Sequence, residues 1–177
     1  MIKSGKKRIG ILGGSFDPPH HGHLEISKLA IKKLLLDKVY WCITKKNPLK
    51  NKAFFSLHER KKKSKAITSK IKKIEIKFFE DKIKSINTID LIRYLKKKNK
   101  TNIFFLIIGS DNLIKFHKWK NWKILPNLTE IVVFSRKDYD IKAKKSVIMK
   151  RVKKITFIKH KHINISSTQI REAYLKA

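Results

Sequence analysis

The sequence predicts an α/β protein built on an open parallel sheet with helices on both faces. Three observations predict it. Short runs rich in β-branched and aromatic residues alternate along the chain with segments of helical periodicity. One run, Ile103–Ile108, is apolar without interruption and stops at Gly109, the pattern of a central parallel strand covered on both faces. Five of the six glycines fall within the first 22 residues, around the end of the first run, where an open α/β sheet brings backbone close to a ligand.

In chain order, Arg8–Leu12 is a short apolar run ending in Gly13-Gly14 and reads as a buried strand. His21–Leu36 follows, with Leu24, Leu29, Ile31, Leu34 and Leu35 at helical spacing. Lys38–Ile43 (KVYWCI) is β-branched and aromatic, hence a strand. Lys45–Phe55 is a polar loop around Asn47-Pro48, and Ser56–Ser69 is helical. Lys73–Phe79 alternates lysine with apolar residues, as a half-exposed strand does. Thr88–Lys98 is a helix with Asn87 or Thr88 as its cap. After the central strand, Asn112–Leu125 is aromatic-rich and mostly helical. Glu130–Phe134 and Ile155–Ile158 are further strands, Arg136–Lys154 has no clear period, and Ser167–Leu175 closes with a helix. No repeat or linker divides the 177 residues, so a single domain over 1–177 is expected.

The chain carries 45 Lys and Arg against 13 Asp and Glu, a formal charge of +32. Such a balance suggests a polyanionic partner. Its make-up argues for something plainer. Six of the basic residues are arginine, the side chain that reads bases bidentately, and the lysines are spread over the whole length. Lysine, isoleucine and asparagine are all abundant and share A/T-rich codons, so base composition accounts for this balance without selection for binding. A solvated lysine surface that draws in anionic small substrates is the reading. A nucleic-acid-binding protein is the alternative from another class, and it leaves the clustered glycines and histidines unexplained. The longest apolar run has six residues, against ~20 for a membrane span. Ile9–Leu12 is too short and glycine-broken for a signal peptide. A single cysteine, Cys42, excludes an internal disulfide and a multi-cysteine metal site. A cytoplasmic protein is expected.

The segment Gly10–His23 concentrates the chemistry. A strand runs into a glycine turn, and a helix starts near His20–Gly22, where free N–H groups and the helix dipole favour phosphate. No Gly-Lys-Ser/Thr follows, so this is not a Walker A loop, nor is it GxGxxG. His20 and His23 are three apart and share a face of the helix start. Their imidazoles can donate to phosphate oxygens and stabilise charge moving onto a leaving group. A zinc site on His20, His21 and His23 would lack a fourth ligand. Asp17, before Pro18, fits an Asx turn. At the other end, Ser166-Ser-Thr-Gln-Ile-Arg171 leads hydroxyls into a helix, with Arg171 one turn after Thr168. Alone this is an ordinary Ser/Thr cap; beside the first cluster it reads as the second jaw of a triphosphate clamp.

These residues resemble a known family. GGSFDPPHHGH (Gly13–His23) is similar to the (H/T)xGH signature of the nucleotidylyltransferase superfamily, and Ser166-x-Thr168-x-x-Arg171 to its SxTxxR signature. Within it the chain most resembles the bacterial nicotinate-nucleotide adenylyltransferases. Gly109-Ser-Asp111 followed by Trp119 and Trp122 resembles that family's GxD…W segment, and Thr88-Ile-Asp90 its TVD helix start. Asn47-Pro48 resembles its loop after the second strand. The chain departs from the pattern with Asn87 in place of the usual tyrosine, NPLK in place of NPPHK, and a shorter segment after Arg171.

The resemblance implies a Rossmann-like sheet of the nucleotidylyltransferase type and a reaction. Nicotinate mononucleotide and ATP give nicotinate adenine dinucleotide and pyrophosphate, by in-line attack on the α-phosphate. It implies His20, His23 and Arg171 as catalytic groups, and ATP held by Gly13, Gly14, Ser15, Phe16, Ser166, Ser167 and Thr168 as well. It implies Thr88, Asp111 and Trp119 at the mononucleotide, with Trp119 stacked on the pyridine ring. Mg²⁺ would come with ATP, without metal ligands of the protein's own. The partners implied are ATP and nicotinate mononucleotide, with no specific nucleic acid and no membrane; a homo-oligomer is compatible with it. Other acceptors, nicotinamide mononucleotide or phosphopantetheine, are the nearest alternatives, though phosphopantetheine adenylyltransferases usually carry threonine at the position of His20.

Overall fold

Helical chain joins each strand to the next and returns to the same end of the sheet, which gives parallel pairing. The computed structural model describes residues 5–45, 53–152, 155–160 and 165–176. The strands are β1 (Arg8–Gly14), β2 (Lys38–Ile43), β3 (Ile74–Lys77), β4 (Ile103–Gly109), β5 (Glu130–Phe134) and β6 (Ile155–Ile158). They form one six-stranded sheet in the order β3-β2-β1-β4-β5-β6, parallel at every pairing. The open parallel sheet expected from the sequence thus has a doubly wound order, with its switch point between β1 and β4.

The helices are α1 (His21–Lys33), α2 (Leu57–Thr68), α3 (Glu80–Ile83), α4 (Thr88–Lys98), α5 (Ser110–Ile114), α6 (Leu125–Leu128), α7 (Asp140–Lys144) and α8 (Ser167–Lys176). Side chains alternate across each strand, so β4 feeds two cores. Phe104, Leu106 and Ile108 pack with Ile89, Ile92 and Leu95 of α4 and Leu113 of α5. Phe105 and Ile107 pack on the other face with Leu24 and Ala30 of α1 and Trp41 of β2. Each such buried Leu, Ile or Phe contributes roughly 1.5–3 kcal/mol. Among the described residues no helix is long and apolar enough to cross a membrane.

Several expectations need correction. β1 does not stop at Leu12: Gly13 and Gly14 stay in register with Cys42 and Ile43, so the turn follows the glycines. None of the described glycines has a positive φ; the left-handed residue of this turn is Phe16, at φ 47°. The predicted strand Lys73–Phe79 shrinks to Ile74–Lys77, and α3 follows it unpredicted. The predicted helical stretch Asn112–Leu125 is broken: α5 ends at Ile114, a 3-10 turn spans Phe116–Lys118, and α6 begins at Leu125. Aromatic content there marks packing into the core, not a continuous helix. The patternless Arg136–Lys154 contains α7 and a second 3-10 turn, Val147–Lys150. Asn47-Pro48 and the rest of NPLK lie outside the described residues.

Candidate active site

The C-terminal ends of β1 and β4 open the crevice at the switch point. α1 starts beside it, and its first turn is capped by its own histidines. His20 is the N-cap, extended at φ −148° and ψ 169°. Its Nδ1 accepts from Gly22 N at 3.1 Å, and His23 Nδ1 accepts from His20 N at 3.3 Å. This is the reciprocal capping box, built from two imidazoles instead of Ser and Glu. A backbone N–H can only donate, so each Nδ1 is the lone-pair nitrogen and each ring carries its proton on Nε2. The ring centroids are 3.9 Å apart. His20 is pushed down to about 4, first by burial and then by the Arg136 guanidinium. His23 is lowered well below its ordinary value by burial, His20 and Arg136. Both are therefore neutral donors near pH 7. Gly22 must be glycine: a Cβ there would stand 2.8 Å from the His20 ring.

A stack backs the pair. His23 lies against Phe16 with centroids 4.8 Å apart, and Phe16 is stacked on Trp41 at 4.8 Å. Trp41 Nε1 donates to Ser27 Oγ at 2.7 Å, and Ser27 Oγ donates to His23 O at 2.8 Å. Phe16 is 1% exposed, so its ring supports His23 and offers a ligand no free face. Gly13 has open space where a side chain would begin.

The second cluster meets the first. Ser166 caps α8, accepting from Gln169 N at 3.2 Å. Ser167 Oγ donates to Pro18 O at 2.8 Å. Arg171 Nη1 donates to Asp17 O at 2.5 Å and Nη2 to Thr168 Oγ1 at 3.0 Å. The Asp17 carboxylate does not close the Asx turn read from the sequence. It accepts from Phe54 N at 2.7 Å and Phe55 N at 2.8 Å, on the lead-in to α2.

At the end of β4, Asp111 Oδ1 stands 3.3 Å from Arg136 Nε. The geometry falls short of a hydrogen bond, so this buried oxygen meets the guanidinium as an ion pair only. A Cβ on Gly109 would collide with Asp111 Oδ1 and sit 3.1 Å from Arg136 Nε, so the close approach requires glycine. Arg136 N donates to Ser110 Oγ at 2.9 Å. Trp119 stacks on Phe116 with centroids 4.9 Å apart and is partly buried. Thr88 opens α4 after the N-cap Asn87, which forms no side-chain cap bond. Instead Ser85 Oγ donates to Asp90 Oδ2 at 2.7 Å and accepts from Asn87 N at 3.1 Å. Lys120 Nζ reaches the same Asp90 oxygen at 3.4 Å, tying the tryptophan loop to α4. A cavity of about 880 Å³ opens at this end of α4, lined in part by Asn87, Asp90 and Lys120. Among the described residues no hydrogen bond or ring contact joins Thr88 or Trp119 to the histidines.

Two residues were missed by sequence reasoning. Arg136 bears on both histidines from the end of β5; the signal was a rare arginine just past an apolar strand. Arg60 is 1% exposed and donates to four carbonyls: Ser15 at 2.6 Å, Thr44 at 2.7 Å, Lys45 at 2.9 Å and Phe55 at 3.1 Å. The signal was one arginine heading a lysine run. No group of three His, Cys, Asp or Glu among the described residues is placed to hold a metal.

A model of the cytidylyltransferase-like family matches residues 11–173, a span that contains both clusters. A Pelagibacter ubique protein named probable nicotinate-nucleotide adenylyltransferase is 50% identical over 169 residues, 94% of this chain and 93% of its own. This chain belongs to the nicotinate-nucleotide adenylyltransferase family. A Bradyrhizobium sp. (strain ORS 278) member is 41% identical over 130 residues, 73% of this chain and 67% of its own. Among solved structures, the Plasmodium falciparum nicotinic acid mononucleotide adenylyltransferase complexed with NaAD superposes with a TM-score of 0.78. At 22% identity over 94% of this chain and 83% of that one, it attests the family's fold here.

Proposed function

We propose that this chain joins ATP and nicotinate mononucleotide into nicotinate adenine dinucleotide and releases pyrophosphate, the activity its relatives are named for. The observation that carries the reading is the meeting of two helix N-termini. α1 presents the imidazole pair, α8 presents Ser166, Thr168 and Arg171, and Arg171 and Ser167 bind the carbonyls of Asp17 and Pro18.

An oxygen of the mononucleotide phosphate attacks the α-phosphorus in line. The new P–O bond forms as the bond to the bridging oxygen of the β-phosphate breaks, and that electron pair leaves with pyrophosphate. A phosphate is already a nucleophile, so the protein supplies position and charge stabilisation. The Nε2–H groups of His20 and His23 donate to the α- and β-phosphate oxygens. Backbone at Gly13, Gly14, Ser15 and Phe16 cradles the phosphates. Ser166, Ser167, Thr168 and Arg171 hold the triphosphate and the departing pyrophosphate, and Arg136 adds positive charge facing the histidines. The exposed part of the Asp111 carboxylate takes a ribose hydroxyl, Trp119 stacks on the pyridine ring, and Thr88 contacts the mononucleotide. Mg²⁺ enters with ATP as part of the substrate, where it neutralises phosphate charge. A cytoplasmic location, with no nucleic-acid or membrane partner, belongs to the same reading.

An end-point assay tests it. Protein and Mg-ATP are mixed separately with nicotinate mononucleotide, nicotinamide mononucleotide and phosphopantetheine, and the products are resolved by chromatography. Dinucleotide and pyrophosphate from nicotinate mononucleotide are expected. Product from phosphopantetheine alone would keep the mechanism and replace the acceptor. No product from any acceptor, with protein that still binds duplex DNA at low salt, would favour the nucleic-acid reading.

A further inference from the structure

α8 carries much of the proposed triphosphate site, yet none of its residues is buried. Full burial in the core therefore does not hold it in place. Among the described residues, polar and ring contacts run along one stripe. Ser167, Arg171 and Tyr174 are spaced i, i+4, i+7 and share one helix face. Ser167 and Arg171 reach the Pro18 and Asp17 carbonyls. Tyr174 reaches Phe55, with centroids 5.4 Å apart at 84°, and Phe54, at 6.4 Å. Lys63 Nζ lies over both the Phe55 and Tyr174 rings, at 4.8 and 5.7 Å.

The contacts close a ring. Asp17 takes Arg171 on its carbonyl and the Phe54 and Phe55 amides on its carboxylate. The rings of those same two residues take Tyr174, one turn beyond Arg171 on α8. The Tyr174 hydroxyl makes no hydrogen bond among the described residues, so the ring face and edge are the contact.

The geometry points to Tyr174 as a positioning residue: its aromatic latch on Phe54 and Phe55 sets α8 so that Arg171 meets the triphosphate. This rests on the reading that Arg171 binds ATP phosphates. In the unliganded enzyme the latch pre-orders the jaw. Without it, part of the ATP binding energy goes into ordering α8, so affinity falls while turnover at saturation is kept.

The experiment measures steady-state kinetics of Tyr174→Ala, Tyr174→Phe, Leu175→Ala and Arg171→Ala. Mg-ATP is varied at saturating nicotinate mononucleotide and the reverse, with Tm recorded for each. Tyr174→Ala is expected to raise KM for ATP about tenfold. Its kcat should change less than about threefold, its KM for the mononucleotide should stay put, and its Tm should remain within about 3 °C. Tyr174→Phe keeps the ring and restores the ATP KM. Leu175 is 74% exposed, and Leu175→Ala should behave as the unaltered enzyme. An unchanged ATP KM in Tyr174→Ala, while Arg171→Ala raises it, would overturn the latch alone. So would both KM values rising together with a fall in Tm, or failure of Tyr174→Phe to restore. Arg171→Ala leaving the ATP KM and kcat unchanged would overturn the triphosphate reading and the latch with it.

Discussion

At the scale of single residues, the imidazole pair makes two predictions. His20→Asn keeps an oxygen able to cap α1 but removes the Nε2–H donor. It is expected to fold, with turnover reduced ~10²–10³-fold in the dinucleotide assay. His23→Ala is expected to lose most turnover as well; a folded variant turning over normally would remove His23 from the mechanism. The second prediction concerns pH. His20 is held down to about 4 in the folded protein, so between pH 6.5 and that value only the unfolded chain takes up its proton. Stability therefore falls as pH drops below 6.5; the His20 share approaches ~1.4 kcal/mol for each pH unit of that window, and His23, lowered in the same direction, adds to it. Urea denaturation at pH 6.5 and pH 5 should show this fall, and His20→Asn should make it shallower by its own share while His23 keeps the rest. The histidine spacing was legible in the sequence, since i, i+3 places both rings on one turn. The reciprocal cap was not, because it depends on ring orientation. Asp17 misled for the same kind of reason: a local turn and a long-range acceptor look alike until Phe54 and Phe55 are in place.

At the scale of elements, Arg60 is a joint. Its guanidinium ties the loop after β1, the end of β2 and the lead-in to α2 by way of four backbone carbonyls. Arg60→Ala leaves those acceptors without their donor, at about 1–3 kcal/mol for each that stays buried and unpaired. The midpoint of chemical denaturation should drop accordingly, and Arg60→Lys should recover only part, since an ammonium lacks the planar fork. The strands were the legible elements. Ile103–Ile108 and KVYWCI announced themselves because a strand buried on both faces needs uninterrupted apolar residues. The segment between β4 and β5 was not legible: Trp119 and Trp122 lie half-buried against the core from 3-10 turns and loops, which leave no steady period.

At the scale of the whole molecule, the +32 charge acts at a distance. ATP and a mononucleotide are both anions, so the lysine surface raises their encounter rate, and salt screens it over a Debye length of about 8–10 Å. kcat/KM for ATP is expected to fall as ionic strength rises while kcat holds steady; equal loss of both would point to an effect on the chemical step. Sequence alone pointed to a candidate site at the end of β1, because a glycine-poor chain had gathered its glycines there. It did not show that Arg136 closes the same crevice from β5, since that depends on which strand lies next to β4.

The scarcity of arginine has a practical outcome. A guanidine-directed dicarbonyl reagent ignores ammonium groups and so meets only six targets in a chain with 45 cations. Arg60 is sealed away at 1% exposure, while Arg136 and Arg171 flank the proposed phosphate site. Peptide mapping after modification, with and without Mg-ATP, should show protection at those two positions and none at Arg93 or Arg151, a direct footprint of the occupied site.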